Sequence, residues 1–117
     1  MKSVLVAFLL AFSSASIAAE EVAQTWKTLE SQYADLVEAS KFSEALDVAL
    51  RLNRIDPADT QTLFYVVFAS VRANKPVPEW VLREPWPDAT PADRVRREVS
   101  EFLVKDAANK RLWRQHP

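Results

Sequence analysis

Bond-making chemistry needs a tuned base, a nucleophile or a metal held by converging ligands, and few residues of this 117-residue chain qualify. The one histidine, His116, is the penultimate residue, where nothing holds its ring in place; it reads as a solvated chain end and not as a general base. Asp56 and Asp59 have the look of paired carboxylates, yet both flank Pro57 at the start of a helix, where capping accounts for them. With no cysteine, one histidine and scattered acids, no spacing suits zinc or iron; with no glycine, the usual nucleotide-cradling loops are missing. An acid-only glycan hydrolase needs a recognisable carboxylate pair, and none stands out. The expectation is a protein that is not an enzyme and holds neither cofactor nor metal.

The elements that would position any site begin after a short leader. MKSVLVAFLLAFSSASIAAEE carries one lysine, an apolar run from Val4 to Phe12, and then small and polar residues up to Ala18 and Ala19. A membrane helix needs roughly 20 apolar residues, about twice this run, so residues 1–19 read as an export signal cut before Ala19 or Glu20. The alternative, a buried N-terminal helix, requires burial on every side, because Val4 to Phe12 has no polar outer face. Residues 20–117 then form a single all-helical domain of about 98 residues, burying about two thirds of its unfolded surface. The absence of cysteine excludes both a disulfide framework and a lipid-modified cysteine at the cut. An exported, soluble, non-lipidated protein of the Gram-negative periplasm is expected, not membrane-spanning after cleavage.

Charge is polarised along the chain, although the total is only -1. Residues 20–60 hold nine acids against four bases, and residues 61–117 hold seven against ten. Such asymmetry can steer a partner. The bases of the last third are interspersed with acids in an exported chain, so nucleic acid is not the expected partner.

Apolar residues Val22, Trp26, Leu29, Tyr33, Leu36 and Val37 recur at three and four residues, which predicts a helix over 21–39. A polar turn follows, and Ser43 is expected to cap a helix over 43–55 with Ala45, Leu46, Ala49, Leu50 and Leu52 on its inner face. So short a loop makes these two helices antiparallel neighbours. Asp56-Pro57-Ala58-Asp59 sets the start of a third helix over 58–73, with Pro57 in the first turn. Its Phe, Tyr and Val content favours a strand by propensity, but the preceding caps and helical neighbours decide for helix. Four prolines make 74–90 irregular apart from one or two turns after Pro78, and inward packing of Trp80 and Trp86 is expected to anchor it. Thr90-Pro91-Ala92-Asp93 starts a last helix over 91–112, with Val95, Val99, Phe102 and Leu103 expected inward and Arg94, Arg97, Glu98, Glu101 and Lys105 outward.

Sliding the chain by 34 residues lays Leu29 on Leu63, Tyr33 on Val67, Val37 on Val71, Ala39 on Ala73 and Lys41 on Lys75. That period is the one of the tetratricopeptide repeat. Leu29 to Pro57 resembles one unit: Phe42-Ser43-Glu44-Ala45-Leu46 looks like its aromatic-x-Glu-Ala-aliphatic turn, and Ile55-Asp56-Pro57 like its terminal aliphatic-Asp-Pro. Tyr33, Ser40 and Leu52 depart from the small residue, glycine and small residue of that pattern. The resemblance covers residues 26–73, a unit and a half, and implies a small array of about four helices, with a repeat-like hairpin closed by the Pro/Trp-rich segment and the C-terminal helix. It further implies that a partner protein is held on first-helix residues, here Gln32, Leu36, Gln61, Tyr65 and Phe68. Trp80, Trp86 and Trp113 are added as aromatic contact candidates. An accessory subunit, an immunity protein or an assembly factor fits that picture. The alternative is a carrier of a small molecule or lipid, lined by Trp26, Tyr33, Phe64 and Trp80 or Trp86.

Overall fold

Five helices follow one another in the computed structural model: α1 (Lys2–Glu38), α2 (Phe42–Ile55), α3 (Thr60–Arg72), α4 (Glu79–Arg83) and α5 (Pro91–Gln115). It describes the backbone of residues 2–115 and the side chains of residues 18–112 and Arg114, with no strand among them. The all-α class is as the periodicity predicts, and α3 is a helix despite its β-favouring composition. Packing on both sides overrides a propensity worth only tenths of a kcal/mol per residue.

The helix expected over 21–39 is the second half of a longer α1 that runs back to Lys2. Every residue from Ala18 to Thr25 is exposed, and among the described side chains α1 meets the core from half-buried Trp26 and buried Leu29 and Tyr33 onward. On α2, Ala45, Leu46, Val48, Ala49 and Leu52 are buried. Ala45 and Ala49 have no exposed surface, and their small side chains let α1 and α3 pack on either flank of α2. From α3 come Leu63, Val66, Val67 and Ala69. Val81 of α4 and Trp86 complete the core.

α1, α3 and α5 run in one direction, with α2 reversed between the first two. Tyr33 stacks on Tyr65 while Phe42, just past α1, meets Phe68 further along α3. Thr60 at the start of α3 bonds Asp93 at the start of α5, and Val71 and Asn74 share a surface depression with Asp106 and Lys110 further on. α3 is therefore the middle of a three-helix layer.

The turns that set this geometry use no glycine. Ser40 ends α1 at φ 59°, where Lys41 N–H bonds Leu36 O at 2.8 Å and Ser40 N–H bonds Val37 O at 3.0 Å. Asn74 ends α3 in the same way at φ 57°, with Lys75 N–H on Ser70 O at 2.9 Å and Asn74 N–H on Val71 O at 3.1 Å. These are two Schellman closures, which favour glycine at the left-handed position. They lie 34 residues apart. A serine there carries a Cβ penalty of about 1 kcal/mol, whereas asparagine tolerates the conformation better. Ser40→Gly is expected to raise unfolding free energy by about 0.5–1 kcal/mol, and Asn74→Gly by less, in urea unfolding followed by circular dichroism.

Two caps differ from expectation. α2 begins at Phe42 with Lys41 in the capping position and no side-chain bond, so Ser43 lies inside the first turn instead of capping. The Ser40 closure brings the chain round early enough for Lys41 O to accept from Ala45 N–H at 3.0 Å. α3 begins at Thr60, not Ala58, and Asp59 takes the capping position. Pro57 and Ala58 form the preceding turn, with Ala58 N–H donating to Asp56 Oδ1 at 3.3 Å, and the Thr62 hydroxyl donates to Asp59 Oδ2 at 2.7 Å.

Candidate functional site

The strand-like residues of α3 supply a partly buried aromatic strip. Tyr65 stacks on Tyr33 with ring centroids 4.1 Å apart, and Phe64 stacks on Phe68 at 6.0 Å. Phe42 meets Phe68 edge-on at 6.2 Å, with the Arg72 guanidinium 4.8 Å above the Phe42 ring. The Tyr33 hydroxyl donates to Tyr65 O at 3.4 Å, and Gln61 Nε2 donates to the Tyr65 hydroxyl. Burial, reinforced by the neighbouring Tyr65, pushes the Tyr33 phenol well above its usual range. Burial also raises Tyr65, against the opposing bond from Gln61. Both phenols are therefore neutral at any physiological pH and act as packing and hydrogen-bonding groups.

The strip is flanked by α5, and the orientation of α5 reverses part of the sequence reading. Its inner face carries Ser100, fully buried, with half-buried Arg96, Arg97, Leu103, Val104 and Ala107. Val95, Val99 and Phe102, expected inward, stay 55%, 40% and 65% exposed. Leu103 keeps its expected inner side and Arg94, Glu98, Glu101 and Lys105 their outer one, while Arg97, expected outward, is turned in. Polar anchoring decides the orientation. Arg97 donates to Leu82 O and Glu84 O at 3.0 and 3.1 Å, and its guanidinium lies 5.3 Å over the Trp86 ring. Arg96 Nη1 donates to Thr60 Oγ1 at 2.9 Å. At about 100° per residue, Val99, Val95 and Phe102 follow Arg96 round α5 on the side away from Arg97 and Trp86. An apolar stripe thus continues outward from the α3 side of the helix.

The Thr90-Pro91-Ala92-Asp93 reading is met in full. Pro91 opens α5, Thr90 Oγ1 accepts from Asp93 N–H at 3.2 Å, and Asp93 Oδ2 accepts from Thr90 N–H and Ala89 N–H, both at 3.1 Å. Asp93 Oδ1 also accepts from Thr60 Oγ1 at 2.7 Å, which ties the start of α5 to the start of α3. The Thr60 hydroxyl first, and then the Thr90 and Ala89 amides, hold the Asp93 carboxyl below the usual carboxylate range despite a desolvation penalty. A carboxyl lowered on folding stabilises fully above its unfolded value of about 4 and loses that contribution as pH falls through the folded value. Thermal melts between neutral pH and pH 3 are therefore expected to show a difference between wild type and Asp93→Ala that narrows only below about pH 4.

The two indoles of the proline-rich segment part company. Trp86 is 9% exposed, and its Nε1–H donates to Val81 O at 2.7 Å; Trp80 is 44% exposed. Inward packing therefore holds for Trp86 and fails for Trp80, because the five-residue α4 turns only Val81 fully inward and leaves Trp80 on its outer side. Both indoles line a groove of about 520 Å³ whose wall also includes Asn53 and Pro57. Of the other aromatics considered for a carrier pocket, Tyr33 and Phe64 belong to the α3 strip, and Trp26 packs against the core from α1.

Of the residues expected to meet a partner, Gln61, Tyr65 and Phe68 lie together on α3, half-buried, and Leu36 is half-buried on α1 with Gln32 exposed beside it. Trp80 and Trp86 belong to the separate groove. The side chain of Trp113 and the whole of His116 lie outside the described residues. Sequence reasoning missed the exposure of Val95, Val99 and Phe102 and the burial of Asn53. Paired Arg96-Arg97, one helical turn after a capping box, was the available sign that α5 is docked by polar groups. Among the described residues no three His, Cys, Asp or Glu converge as metal ligands, and no helix is long and apolar enough to cross a membrane. Comparison with protein-family models, curated proteins and solved structures finds no match to this chain.

Proposed function

We propose that this chain is an exported, non-catalytic helical protein that binds a partner protein in the periplasm through the layer formed by α1, α3 and α5. The observation that carries this reading is the stripe of Val95, Val99 and Phe102, exposed side by side on a helix whose outer face also carries Arg94, Glu98, Glu101 and Lys105. Clustered exposed apolar side chains mark contact surfaces more often than isolated ones do. The half-buried Tyr65 and Phe68 of the neighbouring α3 extend the apolar area, and an aromatic centre with a charged rim is the composition of an interaction surface. The tetratricopeptide likeness supports the same face. Three codirectional helices with left-handed closures 34 residues apart suit a repeat whose second arm has been replaced by α4 and its prolines. Export is supported by the leader's length and composition: one lysine, an apolar run from Val4 to Phe12 and small residues up to Ala19. Accessory subunit, immunity protein and assembly factor are all partner-holding roles that this surface suits.

The test compares capture from native envelope extract by tagged wild type and by the Val99→Asp/Phe102→Asp variant. Both positions face solvent, so the melting temperature is expected to stay unchanged. A stoichiometric partner held by wild type is expected to be lost or weakened at least tenfold in the variant. Equal retention by both proteins, or no partner for either, refutes the assignment.

A further inference from the structure

The groove beside Trp80 contains a feature that the core does not explain. Asn53, near the end of α2, is only 8% exposed, lines the groove, and has an Nδ2 with no hydrogen-bond partner among the described residues. A buried amide nitrogen left unpaired costs about 1–3 kcal/mol. A leucine in its place would extend the apolar face of α2 that Leu52 and Ala49 begin. The rest of the wall is flat and apolar: the Trp80 and Trp86 indoles with Pro57, Pro85 and Pro87, and Glu84 on the rim. Glu84 forms no ion pair among the described residues.

We propose that this groove binds an extended, proline-containing peptide segment, one peptide unit of which pairs with the side-chain amide of Asn53. Trp80, Pro57, Pro85 and Pro87 are all solvent-exposed, so the walls form an open cleft that a chain can cross. An engulfed small molecule would require 70–90% enclosure. A polyproline II segment has no internal hydrogen bonds, so its carbonyls are free to accept, and its rings lie flat against aromatic walls. An amide side chain offers a donor and an acceptor in one group, matching the two polar atoms of a peptide unit. The unpaired Glu84 favours a segment with a neighbouring lysine or arginine. The site shares no residue with the α1, α3 and α5 surface, and the two assignments stand or fall separately.

Nitrogen–proton NMR of the full chain tests this, using a blocked peptide of about six residues in which prolines flank one lysine. The control is a blocked Gly/Ser peptide of equal length with the same lysine. Saturable movement of the Asn53 side-chain amide and Trp80 indole signals is expected with the proline peptide alone. Asn53→Leu is expected to weaken binding about tenfold while keeping or raising the melting temperature, because leucine replaces an unpaired amide at nearly equal volume. Should that variant fold poorly, Trp80→Ala, on the surface, is expected to give a comparable loss of affinity. No saturable movement, an equal response to the Gly/Ser peptide, or undiminished binding by the variant tested overturns the proposal. So does an equal affinity for blocked single proline, which would make the groove a small-molecule site.

Discussion

Trp86→Ala is expected to lower the unfolding free energy by about 3–5 kcal/mol, while Trp80→Ala, six residues earlier, changes it by no more than about 0.5 kcal/mol. The difference follows from what each indole touches. Trp86 is buried against the core, and its N–H closes the end of α4 by bonding Val81 O. The residue four positions after Val81 is Pro85, which has no amide hydrogen, so the helix cannot satisfy that carbonyl itself. Arg97 performs the same service for Leu82 O and Glu84 O and places its cation at the carbonyl end of the short helix. Removing the ring therefore opens a cavity, leaves a buried carbonyl unpaired and takes away the face on which Arg97 rests. A domain of this size holds only about 5–15 kcal/mol in total, so the variant stands near the edge of folding.

Urea unfolding of four variants orders these contributions. Trp86→Ala should cost most. Trp86→Phe, which keeps much of the area and loses the N–H bond, and Arg97→Ala should each cost about 1–2 kcal/mol, and Trp80→Ala least. Equal effects of the two alanine substitutions at tryptophan would mean that the proline-rich segment does not anchor α5 as described.

How far the sequence can be read depends on what kind of information sets each feature. Helix existence came from short-range periodicity: Leu29, Tyr33 and Leu36 on α1 and Ala45, Ala49 and Leu52 on α2 repeat at helical spacing, and they are the residues that pack. The Thr90 to Asp93 cap was legible because both partners of each bond lie within a few residues. The orientation of α5 was not, because it is decided by long-range polar contacts. Arg96 finds Thr60, 36 positions away, and Arg97 finds the backbone of the preceding segment. An apolar stripe of three residues on α5 was outweighed by those anchors, and no window along the sequence contains both. The same holds for Asn53, whose amide reads as ordinary helix surface until α4 and Trp86 close over it. On α3, Tyr65 and Phe68 are half-buried, since so apolar a helix exceeds what one hairpin can hide. The cover comes from α1 and α5, not from the Trp80 to Trp86 segment.

The joint between α1 and α3 gives the second large effect, in Tyr33→Ala. Tyr33 is 6% exposed and its ring lies 4.1 Å from that of Tyr65 at an interplanar angle of 17°. Truncation removes a large buried ring at the place where α1 enters the core, with an expected loss of about 3–5 kcal/mol. Tyr33→Phe should cost much less, about 0.5–1 kcal/mol, since the hydroxyl makes only a long 3.4 Å bond to Tyr65 O. A double-mutant cycle with Tyr65→Ala isolates the stacking itself, for which about 0.5–1.5 kcal/mol beyond buried area is expected. The cycle also discriminates between two ways of holding the layer together. If α1 is held on α3 through the stack, the coupling is positive and Tyr33→Ala exposes α3, detectable as faster amide exchange from Gln61 to Phe68. If α1 is held through α2 alone, the two alanine substitutions add, and exchange on α3 stays as slow as in wild type. The first outcome also requires that binding to the α1, α3 and α5 surface weaken in Tyr33→Ala at protein concentrations where the variant is still folded, because the partner would then meet a layer with one of its three helices displaced.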